Sequence, residues 1–368
     1  MRVLHVVNVR WFNATAWYGL TLARLMRDAG HEVLAVCLPD TAPLARAREW
    51  GLDAATLDLN TGHPLRLAAL CADMHRLVRD FRPDVVDCHR GEAFVLWGLL
   101  KSGGAPFKLV RTRGDQRLPR NNLFNRHLHR RTADAVVATN SAMLAHFRDA
   151  LGVPPERLHL IFGGVDEDAF RFDGAGRARV RAEFGFADGD VVYGLLGRFD
   201  EVKGQRETIE ALARVRARHG MERAKLLLIG HDSAQPESLI RSWIAEAGLD
   251  AHVAVTGLRD DVAACISALD VGVLASKWSE TIARAALEIM ACGRPLVSTR
   301  VGVMPDLMPA EALCAPADAT ALAALMARAA TDPAFLARVR ADQQHRLPQL
   351  TGHAFLSQSL GLFQSLLG

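Results

Sequence analysis

Val191-Val192-Tyr193-Gly194-Leu195-Leu196 runs without a break into Gly197-Arg198-Phe199-Asp200-Glu201-Val202-Lys203-Gly204, and a helical pattern opens at Gln205. An apolar run that alternates with nothing polar is a strand covered on both faces. A glycine, a short polar loop and a second glycine then lead into a helix, the layout of a strand–loop–helix unit in a parallel sheet. Similar apolar runs occur at Val3–Val9, Val33–Leu38, Asp84–Cys88, Lys108–Thr112, Ala135–Thr139 and Leu158–Phe162. Further runs follow at Lys225–Ile229, Val253–Thr256, Val271–Ala275 and Pro295–Thr299. Amphipathic stretches lie between them, among them Leu65–Phe81, Ser141–Leu151, Gln205–His219, Ala283–Cys292 and Ala319–Ala330. The alternation predicts an α/β chain with two doubly wound parallel sheets.

The 368 residues divide into a first domain over 1–170, a second over 171–347, and a terminal helical segment over 348–368 that is expected to pack back on the first. Half the residues are hydrophobic and 23% are charged, so a packed core outweighs ordering entropy and general disorder is excluded. Forty-four Lys and Arg against forty-one Asp and Glu leave a net charge of +3, too little basic excess for a nucleic-acid wrapper. Six scattered cysteines form no C-x-x-C pair and fit reduced thiols of a cytoplasmic protein. The opening MRVLHVVNVRW has no leader-peptide layout. The longest apolar stretch, 93–100, is far short of the roughly 20 residues a membrane span needs. A soluble protein, or one resting on the inner face of a membrane, is expected.

In open parallel sheets ligands bind at the carboxyl ends of strands, so the cleft between two such domains is the expected site. In the loop after Leu196, Arg198 supplies a bidentate fork and Lys203 a point charge, enough to hold a diphosphate without a metal. Two solvated surface cations are the plainer reading. Ser276-Lys277-Trp278-Ser279-Glu280 follows the Val271–Ala275 run, and Glu288 lies in the next helical pattern. On a helix this E-x7-E pair spans roughly 12 Å. The N–H groups of Thr281, Ile282 and Ala283 would then face phosphate oxygens at a helix start. Glu280 also suits a helix N-terminus as an ordinary acid. Glu288, among Ala285, Leu287 and Ile289, needs a partner if it is buried.

Taken in order, the Arg198–Lys203 loop, the E-x7-E pair and EIMACGRPLVSTRVGVMPDLM resemble the retaining family 4 glycosyltransferases of the GT-B fold, glycosyl transferases group 1. Gly30-His31-Glu32-Val33, Pro83-Asp84-Val85-Val86-Asp87-Cys88-His89 and Gly163-Gly164-Val165-Asp166 with Phe170 extend the likeness along most of the chain. The resemblance implies transfer of a sugar from a nucleotide diphosphosugar, a UDP- or GDP-sugar, to a glycan or lipid-linked acceptor of the cell envelope, such as lipopolysaccharide core. It implies that Arg198 and Lys203 hold the donor diphosphate, Glu288 the ribose hydroxyls and Glu280 the donor sugar. Gly197, Gly230-His231 and Leu258-Arg259 are further donor-side candidates. No cofactor or metal is expected, since no Asp-x-Asp motif ends a strand and Asp260-Asp261 reads as a helix start.

The first domain departs from the family pattern. Where a glycine pair is usual it has Asn13-Ala14-Thr15, small enough to approach a phosphate or acceptor, although Thr15 also suits a helix cap. Trp11, Phe12, Trp17 and Tyr18 nearby read as a sugar platform or as core. Arg113 stands where relatives carry a reacting-sugar histidine, and His89 is a second polar candidate at a strand end, or a satisfied loop histidine. From Arg111 to Arg131 the stretch RTRGDQRLPRNNLFNRHLHRR carries seven arginines against one aspartate. Arg111, Arg113, Arg117 and Arg120 are expected to face an anionic acceptor or membrane surface; a solvated charged segment is the alternative. A hydrolysing nucleotide-sugar epimerase and a non-catalytic glycan or membrane binder are the competing functions.

Overall fold

The computed structural model describes residues 1–114 and 117–368. The chain forms two compact units, Met1–Gly163 with Gly352–Gly368, and Gly164–Thr351. These divisions fall a few residues from the expected 170/171 and 347/348. The cause is local: the Val165 N–H donates to the Leu350 carbonyl at 2.8 Å, and Val165 bridges Thr351, which fastens both linkers to the second unit.

The first unit holds seven parallel strands: β1 Arg2–Val7, β2 Glu32–Cys37, β3 Asp53–Thr56, β4 Val85–Cys88, β5 Lys108–Arg113, β6 Ala135–Ala138 and β7 Leu158–Leu160. Their order is β3-β2-β1-β4-β5-β6-β7, so the winding reverses between β1 and β4. The second unit holds six: β8 Val191–Leu196, β9 Ala224–Ile229, β10 Val253–Val255, β11 Val271–Leu274, β12 Leu296–Thr299 and β13 Leu313–Cys314. Their order is β10-β9-β8-β11-β12-β13, with the reversal between β8 and β11. Two strands escape the sequence reading. β3 is Asp-Ala-Ala-Thr and β13 only two residues; each exists because a neighbouring strand templates it, which outweighs weak intrinsic propensity.

Helices cover both faces because most strand residues, polar ones included, are buried. Helix Gln205–His219 shows how its ends are set: Gly204 at φ +72° opens it, Arg216, Arg218 and His219 oppose the negative end of its dipole, and Gly220 at φ +64° closes it. In the first unit Phe94, Trp97, Phe107 and Phe147 fill the space beside β4–β6, with the Trp97 and Phe107 rings edge to face at 5.8 Å. The terminal helix Gly352–Leu367 belongs to this unit. It buries Phe355, Leu362 and Phe363, and the Phe355 ring lies 4.5 Å from that of Tyr18, whose hydroxyl donates to the Ile161 carbonyl.

Phe355 is thus a core residue carried on the last helix. Truncating it to alanine is expected to destabilise the first unit by about 3–5 kcal/mol. Denaturant unfolding of Phe355→Ala checks this, and a midpoint equal to that of wild type would show the helix to be loosely docked.

Candidate active site

At the reversal of the second sheet, the loops after β8 and β11 are locked together by close backbone approach. Gly204 adopts a left-handed φ of +72°, and a Cβ there would lie 2.1 Å from the Ala275 carbonyl oxygen. The Lys277 N–H donates to the Val202 carbonyl at 2.9 Å, and the Lys277 ammonium reaches Glu207 at 3.0 Å and Glu201 at 3.3 Å. Gly230, after β9, comes equally near: a Cβ on it would stand 2.1 Å from the Gly197 carbonyl oxygen. Glycine is required at these contacts because no side chain fits.

The locked loops bring Lys203 to Glu280. The ammonium donates to Oε1 of Glu280, and the Ser276 hydroxyl donates to the same oxygen at 2.6 Å. Glu280 is buried and Lys203 about a quarter exposed, so the cation is held by a carboxylate behind it. Glu280 is itself fixed through its backbone: its carbonyl accepts from the Val303 N–H at 2.7 Å. Gly302, at φ +59°, lies against that carbonyl, and an added Cβ would be 1.9 Å from its oxygen. Arg198 is half exposed and donates to Asp200 Oδ2 at 2.7 Å, while Gln205 holds the Arg198 carbonyl at 2.9 Å. The arrangement offers two cations at a strand-end loop, the ordinary means of holding a diphosphate.

The helix after β11 starts later than its sequence implies. It spans Arg284–Ala291, preceded by Ala283 in the left-handed region at φ +54°. Thr281 and Ile282 are therefore buried loop residues rather than a first helical turn, and Glu280 and Glu288 do not bracket two continuous turns. A non-glycine residue held left-handed costs roughly 1–2 kcal/mol and is kept where surrounding structure dictates it. Glu288 does have the partner its burial demands. Arg284, one turn earlier, donates from Nε to Oε1 at 2.6 Å. Burial pushes the Glu288 carboxyl above its ordinary range, and Arg284 offsets part of that rise. Ser276 and Arg284 are marked in the sequence only by S-x3-E and R-x3-E spacings, which do not by themselves reveal these contacts.

Other donor-side positions fare differently. The His231 side chain is exposed, and its carbonyl accepts from the Phe199 N–H at 2.9 Å. Leu258 is 76% exposed. Arg259 is clamped by Glu183 at 2.7 Å and Asp261 at 2.8 Å, so its guanidinium is occupied within the unit. Asp261 is held down at about 2 by that arginine and precedes helix Val262–Ser267 without capping it.

The first unit corrects several expectations. Arg111 is fully buried, donating to the Cys88 and Thr112 carbonyls at 2.8 and 2.6 Å with its guanidinium over Phe94, so it is a core cation and no surface contact. Arg113 is 8% exposed and donates to the Arg117 carbonyl. His89 is sealed in the interior, where burial outweighs Asp87 and lowers it to about 4, so it is neutral near pH 7. Asn13, not Thr15, caps helix Ala14–Asp28, accepting from the Ala16 N–H at 3.1 Å; the Thr15 hydroxyl is buried and donates to the Gly114 carbonyl. The aromatic group divides. Trp11 is 75% exposed, Phe12 packs edge-on to Trp50 at 5.8 Å, and Tyr18 is core. Arg117 and Arg120 precede helix Leu123–His127, with Leu118, Leu123 and Phe124 exposed and Leu128 and His129 turned inward. Asp115, the one acid of that basic stretch, lies outside the described residues. Among the described residues, no helix is long and apolar enough to cross a membrane.

Two doubly wound parallel sheets, each with its own winding reversal, define the GT-B class of fold. The glycosyltransferase family 4 model matches residues 15–169, and the glycosyl transferases group 1 model matches residues 190–332. The chain belongs to the family 4 glycosyltransferases. It is 31% identical over 193 residues to D-inositol 3-phosphate glycosyltransferase of Pseudarthrobacter chlorophenolicus, covering 51% of this chain and 45% of the relative. It is 29% identical to MMP alpha-(1->4)-mannosyltransferase of Mycolicibacterium hassiacum, covering 57% and 49%. The chain thus spans about half the length of the curated relatives it matches. Its fold is similar to the crystal structure of Anabaena HepE in complex with UDP, at 21% identity and a TM-score of 0.84, covering 99% of this chain and 100% of that one.

The raised Glu288 carboxyl has a stability consequence. The folded state holds that proton more tightly than the unfolded chain, so the wild type loses stability as pH rises from the ordinary 4.5 through the folded value. Glu288→Gln has no such loss. Its melting temperature relative to wild type is expected to climb between about pH 4 and pH 7. A difference that stays flat across that range would mean Glu288 folds with an ordinary carboxyl.

Proposed function

We propose that this protein is a retaining glycosyltransferase that moves a sugar from a nucleotide diphosphosugar, a UDP- or GDP-sugar, to a glycan or lipid-linked acceptor. The observation that carries the reading is the Arg198–Lys203 loop set against the buried Glu280 at the reversal of β8 and β11. Lys203 and Arg198 receive the donor diphosphate. Their charge stabilises the negative charge that grows on the leaving phosphate, the interaction that strengthens toward the transition state. Glu280 sits against Lys203 and orients the sugar beside it, while Glu288, fixed by Arg284, takes the ribose hydroxyls. The bond from the anomeric carbon to phosphate breaks as the bond to the acceptor oxygen forms on the same face. The acceptor proton passes to the departing phosphate, so no side chain need act as a strong base.

The acceptor we infer is anionic, a phosphorylated or lipid-linked glycan of the cell envelope met at a membrane face. Arg117, Arg120, Arg126 and Arg130 lie in one short segment with the exposed Leu118, Leu123 and Phe124. Basic and apolar side chains so mixed suit an anionic interface.

Either UDP or GDP at about 100 times its Kd is expected to stabilise the wild type by about 2.7 kcal/mol and to leave Lys203→Ala unchanged. Lys203→Ala is also expected to lower kcat by about 10²–10³-fold. Normal turnover by that variant would remove the assigned role. Binding to anionic lipid vesicles should weaken as salt rises. No binding at low salt would discard the membrane face while leaving the donor assignment standing.

A further inference from the structure

The register of the first sheet gathers three metal-ligating side chains that the proposed transfer reaction does not use. His5 on β1 is the direct partner of Asp87 on β4, and His89 follows Asp87 by two residues. All three are sealed, at 0%, 0% and 1% exposure. Nδ1 of His5 lies 3.6 Å from Oδ2 of Asp87, Nε2 of His89 lies 3.3 Å from the same oxygen, and the two ring nitrogens are 3.4 Å apart. An ion with bonds of about 2.1 Å and tetrahedral angles sets its ligand atoms about 3.4 Å apart. A set of direct hydrogen bonds would instead draw in to about 2.9 Å. Among the described residues, the Asp87 oxygens make no hydrogen bond of ordinary geometry, and the side chains of His5 and Thr112 are the ones that face them. A buried carboxylate so placed is costly unless a cation meets it. No other group of His, Cys, Asp or Glu among the described residues brings three ligand atoms this close.

We propose that His5, Asp87 and His89 form a buried divalent-cation site, ligated through His5 Nδ1, His89 Nε2 and the Asp87 carboxylate, for a borderline ion such as zinc. Oδ2 of Asp87 faces both ring nitrogens, and a carboxylate that chelates through its second oxygen would make four donor atoms. Two imidazoles and one carboxylate select zinc or its first-row neighbours over calcium and magnesium, which prefer all-oxygen sets. The surroundings fix the ligands in place. Helix Ala14–Asp28 lies directly on the His89 ring at Gly19, where a Cβ would come within 2.9 Å of Cδ2 and Nε2. The Phe363 ring of the terminal helix lies 6.5 Å from that of His5. The ion would tie β1 to β4 at the point where the sheet reverses. It is a structural site, sealed from solvent, and it stands or falls independently of the sugar transfer proposed above.

The test uses the full chain, produced in zinc-supplemented medium and purified without a metal column, with metal content counted by mass spectrometry. About one zinc per chain is expected in the wild type and roughly a tenth or less in His5→Gln. After the zinc is stripped with chelator, cobalt chloride is expected to restore about one equivalent with the visible absorption of a four-coordinate ion. Asp87→Asn keeps the side-chain shape and should weaken that cobalt spectrum. Folded wild type with neither zinc nor a cobalt spectrum would overturn the proposal, as would equal zinc in wild type and His5→Gln. Should the variants fail to fold, the wild-type stoichiometry and cobalt spectrum decide alone.

Discussion

The second unit depends on one buried carboxylate oxygen. Oε1 of Glu280 receives the Lys203 ammonium and the Ser276 hydroxyl, and these donors come from loops that follow different strands. A carboxylate in that position would be costly alone, and each donor would be loose without it. Their mutual dependence makes the geometry of the loop a single unit. The backbone adds the rest: Gly204 and Gly302 are both left-handed and both press on carbonyl oxygens, so the loops cannot slide without a clash. The Thr299 hydroxyl closes the set by donating to the Ser276 carbonyl at 2.6 Å. Strand β12 thereby holds the same loop from its other side.

Much of this was legible beforehand, and the reason is periodicity. Strands covered on both faces announce themselves as unbroken apolar runs, so the two sheets could be read from β1 through β12 apart from β3. Strand order is legible only as a class, because it depends on which strands pair across long sequence distances. Lys203 and Glu280 could be named from their loops, but the contact between them joins positions 77 residues apart. Nothing local specifies it. The left-handed turn just before Arg284 was likewise hidden. Apolar spacing continues smoothly through Thr281–Ala283, and only tertiary packing turns Ala283 left-handed.

Charge density was the weakest guide. The stretch from Arg111 reads as a basic surface, yet its first two arginines are strand residues of β5 that point into packed surroundings. A guanidinium tolerates this because its planar donors can be shared among carbonyls and stacked on an aromatic face, as Arg111 does with Cys88, Thr112 and Phe94. A lysine at the same position would leave a point charge with fewer partners. Only where the chain leaves the strand does the basic character reach solvent, and there it is accompanied by exposed leucine and phenylalanine.

The two sheets share a winding scheme and use its reversal in opposite ways. At β8 and β11 the strand ends open into glycine-bearing loops, so polar groups there are held rigidly while Lys203 stays partly exposed. At β1 and β4 the polar groups lie on the strands themselves or one residue beyond. Helix Ala14–Asp28 and the terminal helix close over them, with Tyr18, Gly19 and Phe363 against the histidines. The same glycine device appears in both places with different results. Gly204 lets backbone meet backbone and leaves Lys203 accessible, whereas Gly19 lets a helix lie flat on His89 and excludes water from it. A sealed cluster of two imidazoles and a carboxylate has little to offer a passing sugar. It has the composition and spacing to hold an ion, and a crosslink at the reversal point would secure the central strands on which the first unit is built.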